Sequence, residues 1–145
     1  ASSLVGSEMC IRDRVIEMCN QIEFEISELE NESKQELIDL AGLDEPGLNK
    51  LIRSAFTTLG LQTFFTSGPK ESRAWVIKSG TSAPEAAGVI HTDFKKGFIR
   101  AETVSFKDFI QFNGEQGAKA QGKWRSEGSD YQVKDGDIIL FRFNV

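Results

Sequence analysis

Near its C-terminus the chain carries the run Ile138-Ile139-Leu140-Phe141-Arg142-Phe143, apolar at every position but one. A strand of that composition offers no face to water, so it needs a neighbour on each side and cover above and below. Lys134-Asp135-Gly136-Asp137 just before it is a tight-turn sequence. Any fold for this chain must therefore build a sheet around residues 138–143, and truncation there is expected to be fatal to the domain.

The preceding residues supply the other elements. Leu61 to Thr66 and Arg73 to Lys78 read as two strands joined by a turn at Ser67-Gly68-Pro69. Ser82-Ala83-Pro84-Glu85 has the form of a capping box with an early proline, and predicts a helix through Ile90. A polar corner at His91–Lys96 and a break at Gly97 lead into a strand over Phe98–Val104, where Phe94, Phe98 and Ile99 are expected to face the core. Ser105 opens a short helical piece with Phe109, Ile110 and Phe112. Residues 113–122 are rich in Gly, Ala and Gln and read as a loop or weak helix. Tyr131–Val133 reads as a short strand before the final one. Strands followed by one principal helix and further strands specify an α+β sheet, of which the β-grasp (ubiquitin-like) arrangement is the best-known case.

Upstream of Gly60 the period is helical. Asp44-Glu45-Pro46 supplies a cap candidate, an early acid and an early proline. Leu48, Leu51, Ile52, Ala55, Phe56 and Leu59 then form one apolar stripe, closed by Gly60. So broad a stripe needs a partner surface that the residues before it are too few to supply. Ile22, Ile26 and Leu29, interleaved with glutamates, predict an acidic amphipathic helix, with Asn31 as its stop. Ser33-Lys34-Gln35-Glu36 predicts a capping box for a short second helix, and Val15–Cys19 a short buried strand. Residues 1–14 fit no period; they read as a non-native, adapter-like lead, with a genuine disordered N-terminus as the other reading.

Charge divides the chain. Residues 1–60 hold 5 Lys+Arg and 12 Asp+Glu, whereas residues 61–145 hold 12 and 10. The first part is a poor nucleic-acid surface; the second permits a basic face. Cys10 and Cys19 sit close together and read as reduced thiols in a cytosolic protein. No apolar run is long enough to cross a bilayer.

The sequence contains no G-x-x-x-x-G-K-[ST], no G-x-G-x-x-G opening a helix and no H-E-x-x-H. One His and two Cys cannot close a zinc site, so no metal ligand and no catalytic residue is assigned. His91 and Asp93, two apart, suit either a general acid/base pair in a small hydrolase or a helix-end corner held by local hydrogen bonds. Lys95, Lys96 and Arg100, with Phe94 and Phe98 between them, have the pattern of a phosphate-tracking edge with stacking aromatics. Lys119, Lys123 and Arg125 form a second cluster beside Trp124. The plainer alternative for both clusters is a solvated loop.

Four segments, Gly42 to Arg53, Leu59 to Glu71, Ala86 to Glu102 and Asp135 to Val145, together resemble the C-terminal part of the YchF/Obg-like ATPases. The resemblance spans residues 15 to 145. It implies that residues 62–145 are a TGS domain of β-grasp fold and residues 15–61 the last strand and helices of a truncated P-loop nucleotide-binding domain. On that basis Cys19 and Asn20 lie near the base of a bound nucleotide. It further implies a cytoplasmic parent that uses ATP and Mg²⁺, is also related to GTP-binding proteins, and binds ribosomes. The family's P-loop and catalytic histidine fall outside this sequence, so the chain itself is expected to hold no cofactor and to be inactive. The expected partners are the ribosome, through rRNA or a ribosomal protein touched by Lys95, Lys96, Arg100, Lys119, Lys123 and Arg125, and the parent's own nucleotide domain. No membrane partner is expected. The chain is expected to be a monomer unless it self-associates through the 47–59 helix. A purely structural role, as an intramolecular lid on the ATPase, is the remaining alternative.

Overall fold

The computed structural model describes residue 16, residues 18–68 and residues 71–144. Two compact units are present, one ending at Leu59 and one beginning at Gly60.

The first unit is helical: α1 (Asn20–Glu28), α2 (Asn31–Leu40) and α3 (Gly47–Leu59). Ile26 of α1 and Ile38 of α2 are buried. The start of α3 is capped from a distance rather than by the predicted Asp44. The Glu23 carboxylate on α1 accepts the backbone N–H of Gly47 at 2.6 Å and of Leu48 at 3.4 Å. An anionic acceptor at a helix N-terminus satisfies orphan donors and complements the helix dipole. Gly47 is buried, and a Cβ there would meet Glu23 Oε1 and Met18 Cγ, both at 2.9 Å. Two other expectations fail here. Helix α2 begins at Asn31, with Glu30 in the capping position and no side-chain cap bond, so Ser33–Glu36 lies inside the helix and caps nothing. Part of the expected 15–19 strand lies outside the described residues, and Ile16, Met18 and Cys19 carry no strand. Lead residues 1–14 also lie outside them.

The second unit is a five-stranded mixed sheet of β1 (Leu61–Ser67), β2 (Ser72–Lys78), β3 (Phe98–Ser105), β4 (Arg125–Glu127) and β5 (Asp137–Phe143), in the order β2-β1-β5-β3-β4. The apolar run at 138–143 is thus the middle strand. It is parallel to β1 and antiparallel to β3, while β1 with β2 and β3 with β4 are antiparallel pairs.

Period-two alternation sends neighbouring residues to opposite faces. One face carries Phe64, Ile77, Ala101, Ile139 and Phe141 under α4 (Ala83–Ile90), whose Ala83, Ala86 and Ala87 are fully buried against them. Methyl-sized side chains allow that close approach. The predicted capping box is present at Ser82 and Glu85. The other face carries Phe65, Val104 and Ile138 under the short helices α6 (Phe106–Gln111) and α7 (Glu115–Ala120). Between α4 and β3 lies α5 (Thr92–Lys96), whose Phe94 stacks on Phe143 with ring centroids 3.8 Å apart.

Tyr131–Val133 does not form the predicted strand. Its backbone is committed to the start of α4: Ala83 N–H donates to Tyr131 O at 2.8 Å and Val133 N–H to Thr81 O at 3.0 Å, leaving a single bridge, Ser82 to Gln132. The outer strand beside β3 is instead Arg125–Glu127. The expectation that Ile99 faces the core also fails. The β3–β5 register shifts between Phe98 and Arg100, and Ile99 is exposed.

Candidate nucleic-acid interface

The β3–β5 register makes Arg100 and Arg142 direct partners and sets Glu102 opposite Leu140. Arg100, Glu102 and Val104 therefore share the face that α6 and α7 partly cover. Glu102 is buried there and gathers five donors from three side chains. Arg100 reaches Oε1 through Nε at 3.3 Å and an η-nitrogen at 3.0 Å. Arg142 reaches Oε1 at 3.2 Å through Nε and Oε2 at 3.2 Å through an η-nitrogen. The Trp124 indole N–H lies 3.4 Å from Oε2. Hydrogen bonding from Arg142 outweighs the opposing cost of burial and, with help from Arg100 and Trp124, holds the Glu102 carboxyl down at about 2. The same contact raises Arg142. Each guanidinium has five N–H donors, and each is about half exposed, so donors remain for an anion in solvent.

Trp124 joins this pair to the second predicted cluster. Lys119 Nζ stands 4.9 Å from the centre of the Trp124 ring and 2.5 Å from the Glu115 carboxylate. Between the sheet and α6–α7 lies a cleft of about 210 Å³, walled by Phe109, Trp124, Ile138 and Leu140, with Glu115 among its lining residues. Arg100 and Lys119, far apart in sequence, thus meet around Glu102 and Trp124. Sequence reasoning missed Arg142, Glu102 and Phe109. The one available signal was an arginine in an otherwise apolar strand.

The remaining predicted contacts lie elsewhere. Lys95 and Lys96 occupy the last turn of α5, on the α4 side of the sheet. The Lys95 stem lies over Gly88, where a Cβ would meet it at 3.2 Å, beside an open groove of about 630 Å³ that includes Val89. They do not share one edge with Arg100. Phe94 and Phe98 pack against the core and are not stacking platforms. Arg125 is directed to the α4 side by its pairing with Thr103. Its η-nitrogen lies 3.3 Å from the Tyr131 hydroxyl and 3.8 Å from Asp137. Tyr131 in turn donates to Asp137 at 2.6 Å; burial, followed by Asp137, pushes its phenol up to about 12. Lys123 and Arg125 line a polar hollow of about 370 Å³ with Lys134, a third cation that the sequence did not single out.

His91 forms the corner between α4 and α5. It ends α4, and its Nδ1 accepts the Asp93 N–H at 3.2 Å. The Asp93 carboxylate lies 3.4 Å away, and both side chains are exposed. This is the local-capping alternative. Cys19 precedes α1 and Asn20 opens it, both exposed. The cavity beside Cys19 is about 50 Å³ and includes the acidic Glu23 and Glu45. No group of three or more His, Cys, Asp or Glu suited to a metal occurs among the described residues.

The chain resembles known proteins along most of its length. YchF-GTPase_C, a family described as a protein of unknown function, matches residues 61–144. The ribosome-binding ATPase YchF of Haemophilus influenzae is 59% identical over 131 residues, covering 90% of this chain and 36% of that protein. Its Bacillus subtilis counterpart is 53% identical with the same coverage. Human Obg-like ATPase 1 is 47% identical over 90% of this chain and 33% of its own length. The solved YchF GTPase of Schizosaccharomyces pombe superposes with a TM-score of 0.73 at 34% identity, over 86% of this chain and 33% of that one. The chain thus spans about a third of the length of these relatives. Its sheet, centred on β5, lies within the region that the family match covers, and by that match the chain belongs to the YchF family.

Proposed function

We propose that residues 62–145 act as the TGS domain of a cytoplasmic, ribosome-associated ATPase, docking it on ribosomal RNA. Residues 15–61 are the tail of its P-loop nucleotide domain, and ATP with Mg²⁺ is handled by that domain. The observation that carries the RNA assignment is the distribution of charge in the second unit. Of its ten carboxylates, Glu102 and Asp137 are buried, whereas Lys95, Lys96, Arg100, Lys119, Lys123 and Arg125 are all exposed. Drawing acids inward and leaving cations outward produces a surface more basic than the net charge states. The names of the bacterial relatives, ribosome-binding ATPases, support the same direction.

The apolar stripe of α3 supports docking on the nucleotide domain. Leu48, Leu51, Ile52 and Leu59 are exposed, and a contiguous apolar face marks an interaction surface.

Co-sedimentation of the full 145-residue chain with ribosomes tests the RNA assignment. Binding should weaken steeply with salt, and Lys95→Ala/Lys96→Ala and Arg100→Ala/Lys119→Ala should each reduce it. Binding that ignores both salt and all four substitutions refutes it.

A further inference from the structure

The cleft between the sheet and α6–α7 lies next to the Arg100–Arg142 pair, and the two features differ in chemistry. The cleft is walled by Phe109, Trp124, Ile138 and Leu140 and holds about 210 Å³. That is below the roughly 300–1,000 Å³ of sites for drug-sized ligands, and suits one flat ring system. The arginines present partly exposed guanidiniums, and their positions are fixed from behind by a carboxylate that is itself buried. Guanidinium forks of this kind recognise phosphate or carboxylate. Trp124 belongs to both features: its ring walls the cleft and its N–H shares the Glu102 carboxylate with the arginines.

We propose that these residues form a subsite for one nucleotide of single-stranded RNA. Its phosphate lies across the Arg100 and Arg142 guanidiniums and its base enters the cleft against Phe109 and Trp124. An anion adjoining a planar aromatic group is the repeating chemistry of a nucleic acid. A paired duplex does not meet the requirement, because its bases are stacked inside, whereas a single strand can splay one out. Glu115 supplies an acceptor in the cleft for an exocyclic amine such as that of cytosine or adenine. Lys119, between Glu115 and the Trp124 ring, adds a third cation at the rim. The proposal rests on the RNA-docking function above and specifies where one nucleotide sits.

The test uses the full chain with Trp75→Phe, which leaves Trp124 as the only indole. Single-stranded oligocytidylate should quench Trp124 emission saturably, while a duplex and inorganic polyphosphate should not. Filter retention should show that Arg142→Gln lowers the steepness of the log K against log salt plot by about 0.7, the value for one single-strand phosphate contact. Trp124→Leu should weaken retention about fivefold or more, the lower end for loss of a base–aromatic contact, and Trp124→Phe should restore most of it. RNA retained with Trp124 emission unchanged overturns the subsite and leaves RNA docking intact. No retention even at low salt overturns both. Quenching by an acidic aromatic peptide but not by RNA assigns the cleft to a protein ligand and overturns the proposal. If Trp75→Phe fails to fold, photo-crosslinking of the unsubstituted chain to an oligonucleotide containing 5-iodocytidine replaces it. An adduct at Trp124 or Phe109 supports the subsite, and adducts confined to Lys95–Lys96 refute it.

Discussion

Arg100 and Arg142 stand directly opposite each other across the β3–β5 ladder, and both donate to the carboxylate of Glu102. Like charges in that cross-strand position repel. One buried carboxylate turns the repulsion into a three-residue clamp on the face of the sheet.

Glu102→Gln should therefore destabilise the second unit by roughly 1–3 kcal/mol, since it leaves two facing guanidiniums without their counter-charge. The effect should depend on pH. Glu102 falls from an ordinary 4.5 to about 2 in the folded protein, so its contribution is complete above about pH 4.5 and disappears as pH falls through about 2. Urea midpoints of the parent and variant at pH 6 and pH 3 check this: the gap between them should narrow at the lower pH. An unchanged gap would show that the carboxylate's charge is not what matters.

Thr103 is fully buried and its hydroxyl has no hydrogen-bond partner among the described residues. Thr103→Val removes an unsatisfied polar group with little change of shape, and should stabilise the domain by about 1 kcal/mol. A lowered midpoint would mean that the hydroxyl has a partner after all.

Gly97 joins α5 to β3, and a Cβ there would overlap the backbone carbonyl of Asn144. The two residues also share a backbone bond, Asn144 N–H to Gly97 O at 2.8 Å. Gly97→Ala should push the end of β5 off the sheet and cost roughly 1–3 kcal/mol, as overpacking does. Hydrogen exchange should show early loss of protection at residues 141–144. Gly80→Ala is an informative contrast: its Cβ would meet no neighbour, but its φ of +83° favours glycine, so its cost should be confined to backbone strain.

These residues also show what could be read from the sequence. Residues 138–143 were recognisable as a central strand because their pattern is local and extreme, and the apolar stripe of α3 and the Ser82–Glu85 box were recognisable for the same reason. β4 was not. Arg125-Ser126-Glu127 has no strand character of its own and is extended only because β3 offers an open edge. Nor was Arg142, whose role depends on a register that sets it opposite Arg100, 42 positions earlier in the numbering. The cap on α3 likewise comes from Glu23, 24 residues away. Local propensity carries no record of such pairings.

Glu23 gives the clearest test in the first unit. Glu23→Ala leaves the Gly47 and Leu48 N–H groups without their acceptor, and should cost about 1 kcal/mol. Circular dichroism should report the loss as lower helicity at a given urea concentration. If helicity and midpoint are unchanged, solvent caps α3 equally well.

The position of β5 has a consequence for how the protein is made. β2–β1 and β3–β4 form two separate halves of the sheet, and the strand that joins them follows both in the chain. During synthesis each half must wait with an open edge, Phe64, Phe65 and Val104 uncovered, until residues 137–143 leave the ribosome. The domain then closes in one late step between distant segments, the kind of pairing that is slow and prone to error. A nascent chain arrested before residue 137 should therefore be bound by chaperones rather than folded.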